Sequence, residues 1–296
     1  HTSWLNVTGV QTCALPICGA GLKTRAGAVA AMQCPLPRAA EWVVPQTWRA
    51  VDFISDLHLS AALPHTFEAW SVYLKATRAD AVVILGDLFE FWPGSDAVQL
   101  DFEARCMQVL RDAAAQRHVA LMVGNRDFLL EPSLLQRLGV HWLADPTLLR
   151  AWQRHALWLT HGDALCLDDV AYQRFRTLVR DPQTQAAFLA RPLAERVRLG
   201  AEARHASEAG RRRTAPPGGW PDLDLAACVE CLRRDGAHTM IHGHTHRPGA
   251  SALAPGFARQ VLSDWDLDEP SPRAEVLRLS RDGLARMAPA AACAGA

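Results

Sequence analysis

The 296-residue chain has no run of 18 uninterrupted apolar residues, so no stretch of it reads as a membrane-crossing helix. It has no net charge either, with Lys plus Arg at 31 and Asp plus Glu at 31. A nucleic-acid enzyme ordinarily carries a basic excess, so that class is set aside. A disulfide framework is also missing. The eight cysteines are scattered from Cys13 to Cys293, and a chain this long buries enough core without cross-links. Cys228 and Cys231 do form a C-x-x-C, but inside "LDLAACVECLRRDG", where i and i+3 share a face of an amphipathic helix. With no second such pair, they are expected to pack rather than to bind zinc or cycle redox, in a reducing cytoplasm. The remaining composition, 49% hydrophobic and 21% charged, is that of a globular enzyme with little disorder.

The stretch "VTGVQTCALPI", Val7 to Ile17, reads as translated adapter sequence rather than protein, so the natural start is expected near Met32. Residues 1–31 are therefore taken as a non-native or disordered leader, and 32–296 as the domain.

Four apolar runs close on polar residues: "AVDFISDLHLS", "DAVVILGDLFEFW", "VALMVGNRDF" and "HALWLTHGDAL". "AHTMIHGHTHRP" follows much later as a fifth. The pattern predicts buried strands that deliver side chains at their carboxyl ends. Helical spacing in "FEAWSVYLKATRA" and "FEARCMQVLRDAAAQRH" alternates with them, which makes the chain α/β with a site beyond the strand ends. His161 and His242 are 81 residues apart. That gap is read as a helical cap, an insertion at about 165–225, with helices over Asp168–Arg180 and Thr184–Ala209 and then the breaker "TAPPGGWPD". From Arg191 to Arg213 it holds seven arginines and three glutamates, which suits a solvated face equally with phosphate or an anionic membrane surface.

The five strand ends offer Asp56 and His58, Asp87, Asn125, His161, and the cluster His242, His244, His246. Oxygen and nitrogen ligands without thiolate suit Mn²⁺, Fe²⁺ and similar ions. In extended chain, residues i and i+2 point alike, so Asp56 with His58 and His244 with His246 are expected to converge. Each motif alone is background; five in order at strand ends are specific.

In this order D-x-H, G-D, G-N-R-D, H-G-D and G-H-T-H resemble the calcineurin-like metallophosphoesterase superfamily. Within it the chain resembles the UDP-2,3-diacylglucosamine pyrophosphohydrolase family, through "FISDLHLS", "ILGDLFEFW", "GNRDFLL", "HGDALCLDDVAYQRFR" and "IHGHTHRP". The resemblance spans roughly Val51 to Trp265. It implies a β-sandwich flanked by helices, α/β/β/α in layers, with the cap inserted. It implies two divalent ions, Mn²⁺ foremost: one on Asp56, His58 and His246, the other on Asn125, His161 and His244, with Asp87 bridging. Asp87, Arg126 and His244 are the residues it assigns to the chemistry. Asn125, Arg126, Asp169 and Tyr172 are assigned to substrate, with Arg204, Ser207 and Arg211 across the cleft. His242 is then expected to be structural.

The implied reaction is hydrolysis of UDP-2,3-diacylglucosamine at the α-phosphorus, giving UMP and 2,3-diacylglucosamine 1-phosphate. The implied setting is the cytoplasmic face of a Gram-negative inner membrane, with anionic lipid as a peripheral partner. The sequence departs from the family at "SEAGRRRT", where Arg211 and Thr214 stand in place of asparagine and lysine, which changes the contact geometry there. Another dinuclear phosphoesterase and a non-catalytic scaffold are the competing readings; the latter should lack ligands, and no expected ligand is absent.

Overall fold

The apolar runs are strands with both faces covered. The computed structural model describes residues 36–213 and 221–294, without the side chains of 204–213. Residues 1–31, Cys34 and Thr214 lie outside the described residues, as do the side chains of Arg204, Ser207 and Arg211.

In chain order the strands are β1 (Ala40–Val43), β2 (Ala50–Ile54), β3 (Ala81–Leu85), β4 (His118–Met122), β5 (His141–Trp142) and β6 (Thr147–Ala151). Then come β7 (His155–Thr160), β8 (Thr239–His242), β9 (Gly249–Ala254), β10 (Phe257–Val261), β11 (Val276–Ser280) and β12 (Gly283–Met287). The helices are α1 (Pro64–Ala76), α2 (Asp101–Ala114), α3 (Pro132–Arg137), α4 (Val170–Val179), α5 (Pro182–Leu189), α6 (Leu193–Arg213), α7 (Leu225–Asp235) and α8 (Pro289–Cys293). One sheet has the order β1-β6-β7-β8-β10-β9, the other β12-β11-β2-β3-β4-β5.

Side-chain alternation along each central strand sets the layers. Val51 and Phe53 of β2, Ala81, Val83 and Leu85 of β3, and Ala120 and Met122 of β4 face the core between the sheets. There they meet Leu157 and Leu159 of β7 and Ile241 of β8. The intervening Ile54, Val82, Ile84, Val119 and Leu121 face outward into the cluster that Trp70, Leu74 and Leu110 of α1 and α2 complete. On the opposite side Trp158 and Met240 meet Cys228, Cys231 and Leu232 of α7. The layers are helix, sheet, sheet, helix. Cys228 and Cys231 are packing residues, as expected; burial pushes the Cys228 thiol up to about 12.

The helix expected over Thr184–Ala209 is two helices. Pro192 has no N–H to donate and is disfavoured inside a helix, so α5 stops at Leu189 and α6 starts at Leu193. Asp169, Asp181 and Asp224 cap α4, α5 and α7 through their side chains. Val179, Phe188, Leu199 and Ala203, from α4 to α6, join the outer cluster of α1 and α2, so these helices share the main core.

β2, β3 and β4 are parallel neighbours in one sheet, and β7 and β8 are parallel neighbours in the other. Their five carboxyl ends meet where the sheets face each other.

Candidate metal centre

Each side chain expected to bind metal sits just past a strand end, and the chain turns sharply there. Asp56, His58, Asp87, His244 and His246 have φ of 53°, 48°, 52°, 65° and 51°. A left-handed backbone costs a non-glycine residue about 1–3 kcal/mol, and five instances in one place mark a site whose geometry the surroundings impose. This corrects the extended-chain argument for Asp-x-His and His-x-His: β2 ends at Ile54 and β8 at His242, and convergence comes from turning.

The loops are stitched together by their backbones. The amides of Asp56, His58 and Leu59 donate to the carbonyls of Gly86, Asp87 and Leu88, at 3.1, 3.1 and 2.9 Å. The Asp127 carboxylate accepts from the amides of Gly124 at 2.7 Å and Leu88 at 2.8 Å, tying the β3 and β4 loops. Gly124 is obligatory, because a Cβ there would enter the Asp87 carboxylate.

Asp56, His58 and His246 bring ligand atoms within 4.8 Å of one another, and so do Asp56, Asp87 and His161. Asn125 Oδ1 lies 2.9 Å from both His161 Nε2 and His244 Nδ1. The two histidines of the G-H-T-H motif therefore face different partners: His246 Nε2 is 3.2 Å from His58 Nε2, while His244 meets Asn125. His242 stands outside both triads, buried, with Nδ1 donating to the Gly243 carbonyl at 2.9 Å and burial pushing its pKa down to about 4.

The donor chemistry fits cations. His161 donates Nδ1–H to the Leu85 carbonyl at 2.9 Å, which leaves Nε2 as the nitrogen turned to Asn125 Oδ1 and the centre. His58 turns Nδ1 to Glu90 Oε2 at 3.3 Å and presents Nε2 inward. Outer partners that fix which ring nitrogen faces inward are typical of metal-binding imidazoles, and a cation would take the place of the protons those nitrogens carry without it.

The charges point the same way. Burial would raise the Asp56 carboxyl, but His246, His161 and His58 hold it well below the usual range. Burial would lower His161, yet Asp87, Asp56 and Asp163 lift it to about 9. His244 falls to about 3 through burial and the neighbouring His161. Asp127 rises to about 6, through burial and the charge of Asp87. The metal-free centre is thus a crowd of carboxylates held together by protons on histidine.

Arg126 is buried; its amide donates to Asp87 Oδ1 at 2.8 Å and its guanidinium to Glu90 Oε1 at 2.6 Å. The Tyr172 hydroxyl donates to Asp163 Oδ2 at 2.5 Å, and its ring lies 6.0 Å from that of His244. Asp169 receives the Tyr172 amide as the cap of α4. Arg180 reaches from the end of α4 to the Gly124 carbonyl at 2.9 Å. Glu90, Asp127 and Asp163 went unassigned from sequence although all three lie within the motifs, where carboxylates near ligands were the available signal; Asp264, whose Oδ2 is 3.6 Å from His246 Nδ1, lies beyond the motifs and had none.

A family model for calcineurin-like phosphoesterases matches residues 50–248. The chain belongs to the calcineurin-like phosphoesterase family. This phosphoesterase is 42% identical to the UDP-2,3-diacylglucosamine hydrolase of Ralstonia nicotianae over 252 residues, which is 82% of this chain and 93% of that one. It is 44% identical to the protein of the same name from Chromobacterium violaceum over 218 residues, 73% of this chain and 90% of that one. Among solved structures it is similar to a dimetal phosphatase from Danio rerio, with a TM-score of 0.41 and 15% identity, covering 80% of this chain and 96% of that one.

Proposed function

We propose that this phosphoesterase hydrolyses UDP-2,3-diacylglucosamine at the α-phosphorus, releasing UMP and 2,3-diacylglucosamine 1-phosphate. The observation that carries the reading is the 42–44% identity to hydrolases named for that substrate, over 73–82% of the chain. The gathered ligand set supports it.

In this reading Asp56, His58 and His246 would hold one divalent ion and Asn125, His161 and His244 the other, with Asp87 shared by the two. Divalent ions bound there, Mn²⁺ in the first place, would supply a water ionisable near neutral pH and positive charge against the phosphoryl oxygens. His244, with its low pKa, stays a neutral lone-pair donor at any working pH. Arg126 takes a non-bridging phosphoryl oxygen, and Glu90 keeps its guanidinium from swinging away. Tyr172, with Asp169, contributes to the sugar-nucleotide site while its hydroxyl stays on Asp163.

No helix among the described residues is long and apolar enough to cross a membrane. Leu167, Val170, Leu178 and Val197 are exposed on and beside α4 and α6, and with the exposed Arg198 of α6 they support peripheral contact with an anionic inner-membrane surface.

A substrate panel tests the reading. UMP release from the diacyl nucleotide but not from UDP-N-acetylglucosamine is expected; equal turnover of both would defeat it in favour of a general nucleotide phosphodiesterase.

A further inference from the structure

Glu90 sits where two ligand loops cross. Its amide donates to the Leu59 carbonyl at 3.2 Å, next to the parallel bridge between Leu59 and Phe89, so its backbone is locked to the His58 loop. Its carboxylate is mostly buried and spans two groups: Oε2 is 3.3 Å from His58 Nδ1, and Oε1 accepts from the Arg126 guanidinium at 2.6 Å. Arg126 is thereby held at both ends, by its amide on Asp87 and by its head on Glu90.

We propose that Glu90 is a positioning residue that joins the metal ligand His58 to Arg126, so that one carboxylate sets both metal affinity and the placement of the phosphoryl group. The His58 arm follows from the tautomer. A carboxylate oxygen 3.3 Å from Nδ1 favours the ring proton on that nitrogen, which commits Nε2 to the centre and makes it a better donor to a cation. The Arg126 arm follows from confinement. A guanidinium loses little freedom on meeting substrate when a bound carboxylate has already fixed it. A single amide cannot replace Glu90. Glutamine has one accepting oxygen and no charge, and Arg126 and His58 face opposite carboxylate oxygens of Glu90.

The Arg126 arm rests on the proposed phosphoryl transfer; the His58 arm does not. The test is therefore Mn²⁺ affinity of chelator-stripped protein, measured without substrate, beside kcat and KM at saturating Mn²⁺. Glu90→Gln is isosteric and opens no cavity. It is expected to weaken Mn²⁺ binding about 10-fold or more. It is also expected to lower kcat about 10-fold with KM little changed. In an Arg126→Met background the kcat loss from Glu90→Gln should nearly vanish while the Mn²⁺ loss persists in full. Glu90→Asp keeps the charge but not the reach, and should show the same pair of losses.

Mn²⁺ affinity within about twofold of wild type in both variants would overturn the His58 arm. An equal kcat loss with and without Arg126 would overturn the other arm. If the wild type binds Mn²⁺ yet leaves the diacyl nucleotide intact, the substrate assignment fails by itself, and the kcat comparison runs on bis(4-nitrophenyl) phosphate.

Discussion

The Nε2 of His161 lies 2.9 Å from Oδ1 of Asn125, while its Nδ1 is committed to the Leu85 carbonyl. Backbone from one sheet thus aims an imidazole of the other at a shared point. The pKa of this imidazole stands at about 9 in the metal-free centre, so at neutral pH it holds a proton that a metal must displace. Mn²⁺ affinity should therefore rise as pH increases towards 9, by about tenfold per unit for one released proton, and level off above it. Titrations at spaced pH values check this; affinity that is flat or falls with pH over that range contradicts it.

Asp87→Asn should abolish phosphodiester hydrolysis, with a loss above about 10³-fold, because the residue assigned between the two ligand sets is gone. The fold should survive. Its carboxylate accepts the Arg126 amide, which the amide oxygen of Asn can still do, and losing the charge relieves repulsion with Asp127. Circular dichroism and a thermal melt of metal-free protein measure one half, and turnover measures the other. An active Asp87→Asn enzyme would refute the bridging role.

Gly200→Ala in α6 ordinarily adds about 1 kcal/mol of helix stability. Here the sign reverses, because a Cβ at Gly200 would run into the Phe91 ring. The expected outcome is a net loss of about 1–3 kcal/mol by denaturant unfolding. The double variant with Phe91→Leu should recover part of it. A stabilised single variant would show that α6 can draw away from the ring at little cost.

Arg196 is buried on α6, donating to the Arg191 and Pro93 carbonyls and pairing with Asp96. Arg196→Met keeps much of the stem but strands the Pro93 carbonyl, which should cost about 1–3 kcal/mol. Mn²⁺ affinity should not change, since none of these partners belongs to the ligand set. Calorimetric melting and Mn²⁺ titration separate the two effects.

Replacing both Cys228 and Cys231 by alanine should leave turnover and metal content unchanged and lower stability by about 1–2 kcal/mol per site through lost packing. Both thiols are buried beside Leu232 and Met240, and burial raises both pKa values. Zinc lost together with the pair, measured by elemental analysis, would restore the metal reading of the C-x-x-C.

The strand-end motifs were legible because β2, β3, β4, β7 and β8 are covered on both faces, and such strands read as apolar runs wherever they occur. β5, two residues long, and β9, exposed over much of its length, carry no such signal, so an outer edge of each sheet was not visible. The break at Pro192 was visible and was passed over. Glu90 was not legible as a partner of His58: the two are 32 residues apart, and only loop pairing between Leu59 and Phe89 brings them together.

Residue type and order, by themselves, determined the α/β class, the family and the candidate ligands, because the chemistry of a metal centre demands specific side chains and parallel strands place them at predictable ends. Only the tertiary structure decided how those side chains meet. Left-handed turns at Asp56, His58, Asp87, His244 and His246 replace the extended geometry, and packing of the two sheets sets His244 against Asn125 and His246 against His58. Local sequence cannot specify such conformations, since each is locally unfavourable and is held only by contacts across the whole sandwich.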